Sequence, residues 1–404
     1  MVSSQGPKAI VLGAGFIGLS VALCLYAAGY DVEIRAEKTI APAHPGSDPR
    51  FASAFPAAAI LPHFLPRDYL PELMHDSQRV FSAIQSMAGS GVRSQQHLEL
   101  WEEFITDAPT YLQYFEDCRK ISELDITIPK RPGVSEVYGY GFKIFFADMP
   151  SYGEWLKGLV AQQEIKVIQQ TLDRHTVKSL EADVIVNCLG IGASQVFPEH
   201  LSPGFVSRGV LLKFECNDIY TERPGQPVSY YYTPKPDVYQ GPLYFYPRER
   251  SAVIGGTQEL RKIDPKTGQV LETPVEVPDA IEDINRELVF QLTGRELPKD
   301  YQRLVGYRHF GGTPGQQTLS VGRQQPHTHP IIIDCNGLGG YGVTLSWGVG
   351  IRALTIANEA LFVPGFNMDN LFALLRGPNA GVHPYKLSKS SSLGNIMREQ
   401  RTIG

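Results

Sequence analysis

The chain has 404 residues, 43% of them hydrophobic, and a formal charge of -5 at pH 7. That length and apolar content suit two domains, or one large interleaved unit, with a sizeable core. The mild negative charge leaves no basic footprint, so nucleic acid and anionic membrane are excluded as expected partners and small molecules are favoured.

The first predicted element is an apolar strand from Lys8 to Leu12 that runs into Gly13-Ala14-Gly15-Phe16-Ile17-Gly18. Each glycine has a task in a dinucleotide site. Gly13 permits the strand-to-helix turn, Gly15 lets the backbone approach a pyrophosphate, and Gly18 lets the helix pack close on the strand. The helix start then faces the anion. Ile17, Val21, Leu25 and Ala28 share one helical face, Gly29 ends the helix, and Asp31 to Arg35 reads as the second strand. Where such sites place an acid for the ribose, this chain has Ala36. Glu37 and Arg35 beside it are either ribose and adenosine contacts or solvated charges at a strand end.

Few polar residues precede the first strand, leaving no room for a signal peptide, and no apolar run reaches the ~20 residues of a spanning helix. The expectation is a cytoplasmic protein without a membrane span. The five cysteines are widely spaced with no Cys-x-x-Cys pair, and no His-x-x-x-His occurs. Reduced core thiols and no metal are expected.

Further along, the small-residue run from Phe51 to Pro62 suits close backbone approach to a ring system or a buried connector. Helices are expected over 71–89 and over the aromatic stretch 101–115. The run Ala182 to Gly192 reads as a buried central strand ending in glycines. Residues 205–260 turn strand-rich, with a hairpin loop between Pro247 and Ser251. Pro330 to Asp334 forms another strand, followed by Gly337, Gly339, Gly340, Tyr341 and Gly342 and a helix whose face carries Val343, Trp347, Ile351 and Leu354. Two glycine-led helix starts suit two anions, or one anion and a ring that becomes negative on reduction. The tail from Phe362 has a weakly periodic stretch near Met368 to Leu375, and its last residues are expected to be loosely held.

Taken together, the opening Val11 to Ser20, the strand Asp183 to Gly190 and the loop Gly339-Gly340-Tyr341-Gly342-x-Thr344-x-x-Trp347-Gly348 resemble, in order and spacing, the D-amino acid oxidase family of FAD flavoproteins. The resemblance covers about residues 8–361 and accounts for Ala36. It implies an α/β fold in which a Rossmann-like FAD-binding domain (1–62, 149–206 and 316–361) interleaves with an antiparallel-sheet substrate domain (63–148 and 207–315), with 362–404 as a tail. FAD contacts are expected from the first glycine motif, Arg35, Ala36, Glu37, Ser53, Ala57, Ala58, Gly190, Gly337 and the Gly339 to Thr344 loop.

On the substrate side, the resemblance places Arg308, in Leu304-Val-Gly-Tyr-Arg308, on the strand whose guanidinium binds the substrate carboxylate. Tyr244 occupies the hairpin position whose hydroxyl shares that task, and the Gly340 carbonyl accepts from the amine. Alternation puts Tyr244 and Tyr246 on one strand face, which leaves one of them open to a packing role. Two departures stand where side-chain selectivity is set. Gln240 replaces a second pocket tyrosine, with Tyr239 and Tyr230 to Tyr232 nearby, and His309 to Pro314 departs from the family continuation. The implied reaction is oxidative deamination of a D-amino acid, with hydride passing from Cα to flavin N5 and O2 as reoxidant. Rivals are a glycine or sarcosine oxidase, an amine dehydrogenase, a flavin-binding protein without turnover and a nicotinamide dehydrogenase. Amino acid and O2 are the expected small-molecule partners, and oligomerisation is left open.

Overall fold

The structure, a computed structural model, describes residues 6–55, 59–63, 70–201, 204–216, 221–223, 226–264, 269–271, 278–325 and 329–377. In chain order the main elements are β1 (Lys8–Ala14), α1 (Phe16–Ala27), β2 (Asp31–Thr39), α2 (Leu70–Ile84), β3 (Val92–Trp101), β4 (Tyr138–Ala147), α3 (Met149–Gln162), β5 (Lys166–Gln169) and β6 (Val184–Asn187). They continue as β7 (Phe205–Glu215), β8 (Gln226–Thr233), β9 (Leu243–Pro247), β10 (Ser251–Gly255), α4 (Asp279–Thr293), β11 (Gln302–Thr313), β12 (Ser320–Arg323), β13 (Ile331–Asn336), α5 (Ser346–Leu361) and α6 (Met368–Arg376).

Six strands form one sheet in the order β12-β13-β6-β1-β2-β5. All neighbours are parallel except the antiparallel edge strand β12. The apolar run of β1 follows from burial on both faces: Ala9 and Val11 join the core under α1 and α5, while Ile10 and Leu12 pack with Val177, Val196 and Phe197 on the other side. A second, twelve-stranded sheet has its longer strands in the order β11-β7-β10-β9-β8-β3-β4. It is mainly antiparallel, but β8 and β3 run parallel. Its period of two sorts the hairpin side chains. Phe245 packs beneath α4 with Ile281 and Leu288, whereas Tyr244 and Tyr246 face the other way.

The fold is therefore α/β, a Rossmann-like sheet beside a large, mainly antiparallel one. Three local expectations need correction. The aromatic stretch 101–115 is no helix: Trp101 ends β3, only Thr110–Tyr114 form a 3-10 turn, and Pro109 at its start, lacking an N–H, interrupts helical bonding. Helix α2, grouped with the substrate segments, sends Leu73, Val80, Phe81 and Ile84 into the core of the first sheet. Gly348 explains the close fit, since a Cβ there would meet the Leu73 carbonyl carbon at 2.7 Å. The last helix of the sheet begins at Ser346, so Val343 lies in the turns that precede it. Among the described residues no helix is long and apolar enough to cross a membrane.

Candidate active site

The strand ends of the first sheet and the tyrosine face of the second bound a cavity of about 750 Å³. At its nucleotide end Gly13 has φ +106°, and a Cβ there would meet the Cys188 carbonyl oxygen at 2.5 Å. Ala14, Gly15, Phe16 and Ile17 line the cavity where α1 begins, while Gly18 packs against the Gly13 carbonyl behind it. The first turn of α1 holds no acid. Ser53 Oγ accepts the Phe16 N–H at 3.2 Å, and a Cβ on Gly15 would meet that Oγ at 2.6 Å. Backbone donors, an uncharged helix start and a bare Gly15 together fit a pyrophosphate.

Ala36 and Glu37 line the adjoining wall, the latter with its carboxylate largely in solvent. Arg35 does not join them. Its guanidinium bonds Glu33 at 2.5 Å and Gln170 at 3.2 Å, because alternation along β2 turns it away from Ala36. Gly190, Gly339, Gly340, Tyr341, Gly342 and Thr344 all line the cavity. Gly337 does not. With φ +78° and a would-be Cβ 2.7 Å from the Thr318 carbonyl oxygen, it serves the turn into that loop. Ala57 and Ala58 lie outside the described residues, but Ala52, Ser53 and Ala59 on either side of them line the cavity. The Thr344 hydroxyl donates to the Ala59 carbonyl at 3.4 Å, tying the two segments together.

At the other end, β9 and β11 bring Tyr244 and Arg308 to the same cavity as Gly340. Arg308 Nη1 donates to the Thr257 carbonyl at 3.4 Å, and among the described residues no carboxylate pairs with its guanidinium. A Cβ on Gly340 would stand 3.2 Å from Arg308 Cδ. The Tyr244 ring packs over Gly255, and its hydroxyl oxygen is buried with no hydrogen-bond partner among the described residues. Burial raises the Tyr244 pKa and the Arg308 charge partly offsets that rise. A cation without a counter-ion beside an orphaned hydroxyl is complementary to a carboxylate.

Three further residues complete this end: Tyr231, from the Tyr230 to Tyr232 cluster noted in the sequence, and His63 and Glu99, which sequence reasoning missed. Tyr231 lines the cavity between Tyr244 and His63, with ring centroids 5.7 Å and 4.2 Å away. Gln240 does not line the cavity, and Tyr239 donates to the Gly256 carbonyl at 3.1 Å and is likewise absent from the cavity wall. His63 also lines the cavity and pairs with buried Glu99 at 2.9 Å. The only sequence signal was polar residues, His97 and Glu99, inside a strand whose neighbours Leu98 and Leu100 are apolar.

A Rossmann cradle opening onto a chamber with an arginine that meets no carboxylate among the described residues, and with a tyrosine cluster, is the architecture of a dinucleotide-dependent oxidoreductase. The chain belongs to the DAO family of FAD dependent oxidoreductases, whose model matches residues 8–353, and FAD is its cofactor. It is 27% identical over 367 residues to a D-amino-acid oxidase of Rubrobacter xylanophilus, covering 88% of this chain and 97% of that protein. It is 22% identical over 369 residues to human D-aspartate oxidase, covering 87% and 94% respectively. The crystal structure of glycine oxidase from Geobacillus kaustophilus superposes with a TM-score of 0.62 at 14% identity, over 87% of this chain and 95% of that one.

Proposed function

We propose that the protein oxidatively deaminates D-amino acids with O2 as acceptor. The observation that carries this reading is the pair formed by Arg308, with no carboxylate partner among the described residues, and the unpartnered Tyr244 hydroxyl in one cavity. The guanidinium fork takes the substrate carboxylate in a bidentate grip and the Tyr244 hydroxyl donates to the same group. The Gly340 carbonyl, beside the Arg308 side chain, accepts an N–H of the amine and so sets the orientation of Cα. The chemistry supplied by bound FAD is two-electron acceptance from Cα and return of the pair to O2, giving H2O2 with a 2-oxo acid and ammonia after hydrolysis of the imine.

The nucleotide segment contributes through Gly13, Ala14, Gly15, Phe16 and Ile17 at the pyrophosphate, Ala36 and Glu37 at the ribose, and Ser53 and the Gly339 to Thr344 loop around the ring system. Val343 and Thr344, in the turns just before α5, line the cavity, so the positive end of that helix would favour negative charge on a bound ring system. The reading includes a cytoplasmic location and interleaved nucleotide and substrate domains. The 27% identity to a D-amino-acid oxidase supports it. The test is product stoichiometry. Equal amounts of 2-oxo acid, ammonia and H2O2 from D-amino acids are expected, and turnover confined to glycine or sarcosine would transfer the protein to that alternative.

A further inference from the structure

The chain leaves β1 for β2 on one side and later places β6 on the other, so the crevice between the ends of β1 and β6 is the switch point at which an open parallel sheet receives its ligand. One wall of that crevice is the glycine turn after Leu12. The other wall is the segment 188–192, every residue of which lines the cavity. This second wall contains Gly190 and Gly192, with φ +58° at Gly190, and glycine loses more freedom on being fixed than any other residue. Something must hold its shape.

A chain of side-chain amides stands behind it. The apolar runs of β6 and β13 give way at their ends to Asn187, Asp334 and Asn336, all buried and none of them on the cavity wall. Asp334 Oδ1 accepts from Asn187 Nδ2 at 2.7 Å and from Gln324 Nε2 at 3.0 Å. With its amide nitrogen committed to Asp334, Asn187 offers Oδ1 to the Leu189 N–H at 3.3 Å. Asn336 donates to the Asn187 carbonyl at 3.1 Å and accepts the Gly190 N–H at 3.0 Å. The Cys188 and Gly192 N–H groups go to the Leu12 and Leu189 carbonyls at 2.9 Å and 3.2 Å. These backbone donors are satisfied by the protein itself, so the conformation of the wall does not wait for a ligand. We infer that Asn187, Asp334 and Asn336 are positioning residues for FAD, which fix the 188–192 wall in its binding shape before the cofactor arrives. FAD then does not have to order that wall on binding. The inference needs only the cofactor and is independent of the amino acid reading above.

The test uses the full-length protein with FAD removed. Backbone hydrogen exchange at residues 188–190 of this apoprotein should already be roughly tenfold or more slower than in an unstructured peptide. Exchange at the unstructured rate until FAD is added would overturn the proposal. Asn336→Ala removes both contacts of that amide and should weaken FAD binding roughly tenfold or more, read from flavin fluorescence as the apoprotein is titrated, while exchange quickens at 188–192 and not along β1. A dissociation constant within about twofold of the wild type, or a loss of protection spread evenly over the sheet, would make the network merely structural and overturn the proposal equally. Should Asn336→Ala not fold, the exchange result on the wild-type apoprotein decides alone.

Discussion

The Arg308 guanidinium lies over Gly209 on the neighbouring strand, so close that a Cβ at Gly209 would meet Nη1 at 2.6 Å. The pair is diagonal across the antiparallel register, in which Arg308 opposes Ser207 and Gly306 opposes Gly209. The missing side chain at Gly209 is what lets the fork lie flat along the cavity wall.

Gly209→Ala therefore displaces a flexible side-chain tip. Carboxylate binding should weaken by about tenfold or more, from loss of a charged contact of roughly 1.5–3 kcal/mol, while FAD stays bound. Arg308→Lys should weaken binding comparably because the charge remains but the bidentate geometry goes. Stopped-flow flavin reduction across substrate concentration measures both. Wild-type affinity in either variant would remove the guanidinium from the site.

Tyr244→Phe separates function from stability. Among the described residues its hydroxyl is buried without a hydrogen-bond partner, a situation that costs about 1–3 kcal/mol. The variant should melt no lower than the wild type without substrate, yet bind substrate several-fold more weakly. Calorimetry with and without a carboxylate ligand checks this, and a large loss of stability in the ligand-free variant would mean that the hydroxyl is structural.

Gly15→Val should abolish FAD retention. The first carbon of the added side chain would already meet Ser53 Oγ at 2.6 Å, and that hydroxyl also receives the Phe16 N–H. The 450 nm region of the purified variant, compared with its protein concentration, gives the answer directly. Full occupancy would contradict the placement of the pyrophosphate at this turn.

Acid should destabilise the fold in two stages. Burial lowers the His97 pKa below its ordinary 6.5, so the unfolded chain takes up a proton there that the folded chain refuses, and stability falls as pH drops through that value. Glu99 is held at about 2 against an ordinary 4.5, so its contribution is complete above 4.5 and is lost as pH falls toward 2. Melting temperature followed from pH 8 to pH 3 should be flat above about 6.5 and then decline. His97→Asn should flatten the upper part of the decline, and an unchanged profile would refute the assignment.

Much of the nucleotide half was legible because its chemistry is local. Gly13, Gly15 and Gly18 sit within a few residues of one another, and the turn they specify needs no distant partner. Arg308 and Tyr244 were reachable through family resemblance, and their shared cavity required the pairing of β11, β7, β10 and β9. His63 and Glu99 were not legible, since a connector and a strand 36 residues apart meet only through tertiary packing. Arg35 was assigned to the nucleotide by proximity in sequence, but strand alternation gives it to Glu33 and Gln170. The stretch 101–115 misled because its aromatic spacing looked helical, although Phe104 is 70% exposed while Tyr111 and Leu112 are buried elsewhere.

The most direct test of the central claim is the visible spectrum of the FAD-loaded protein, followed without oxygen as D-amino acids, L-amino acids, glycine and sarcosine are added in turn. The account predicts that D-amino acids bleach the flavin band and that air restores it. A flavin band left unbleached by every D-amino acid would contradict it.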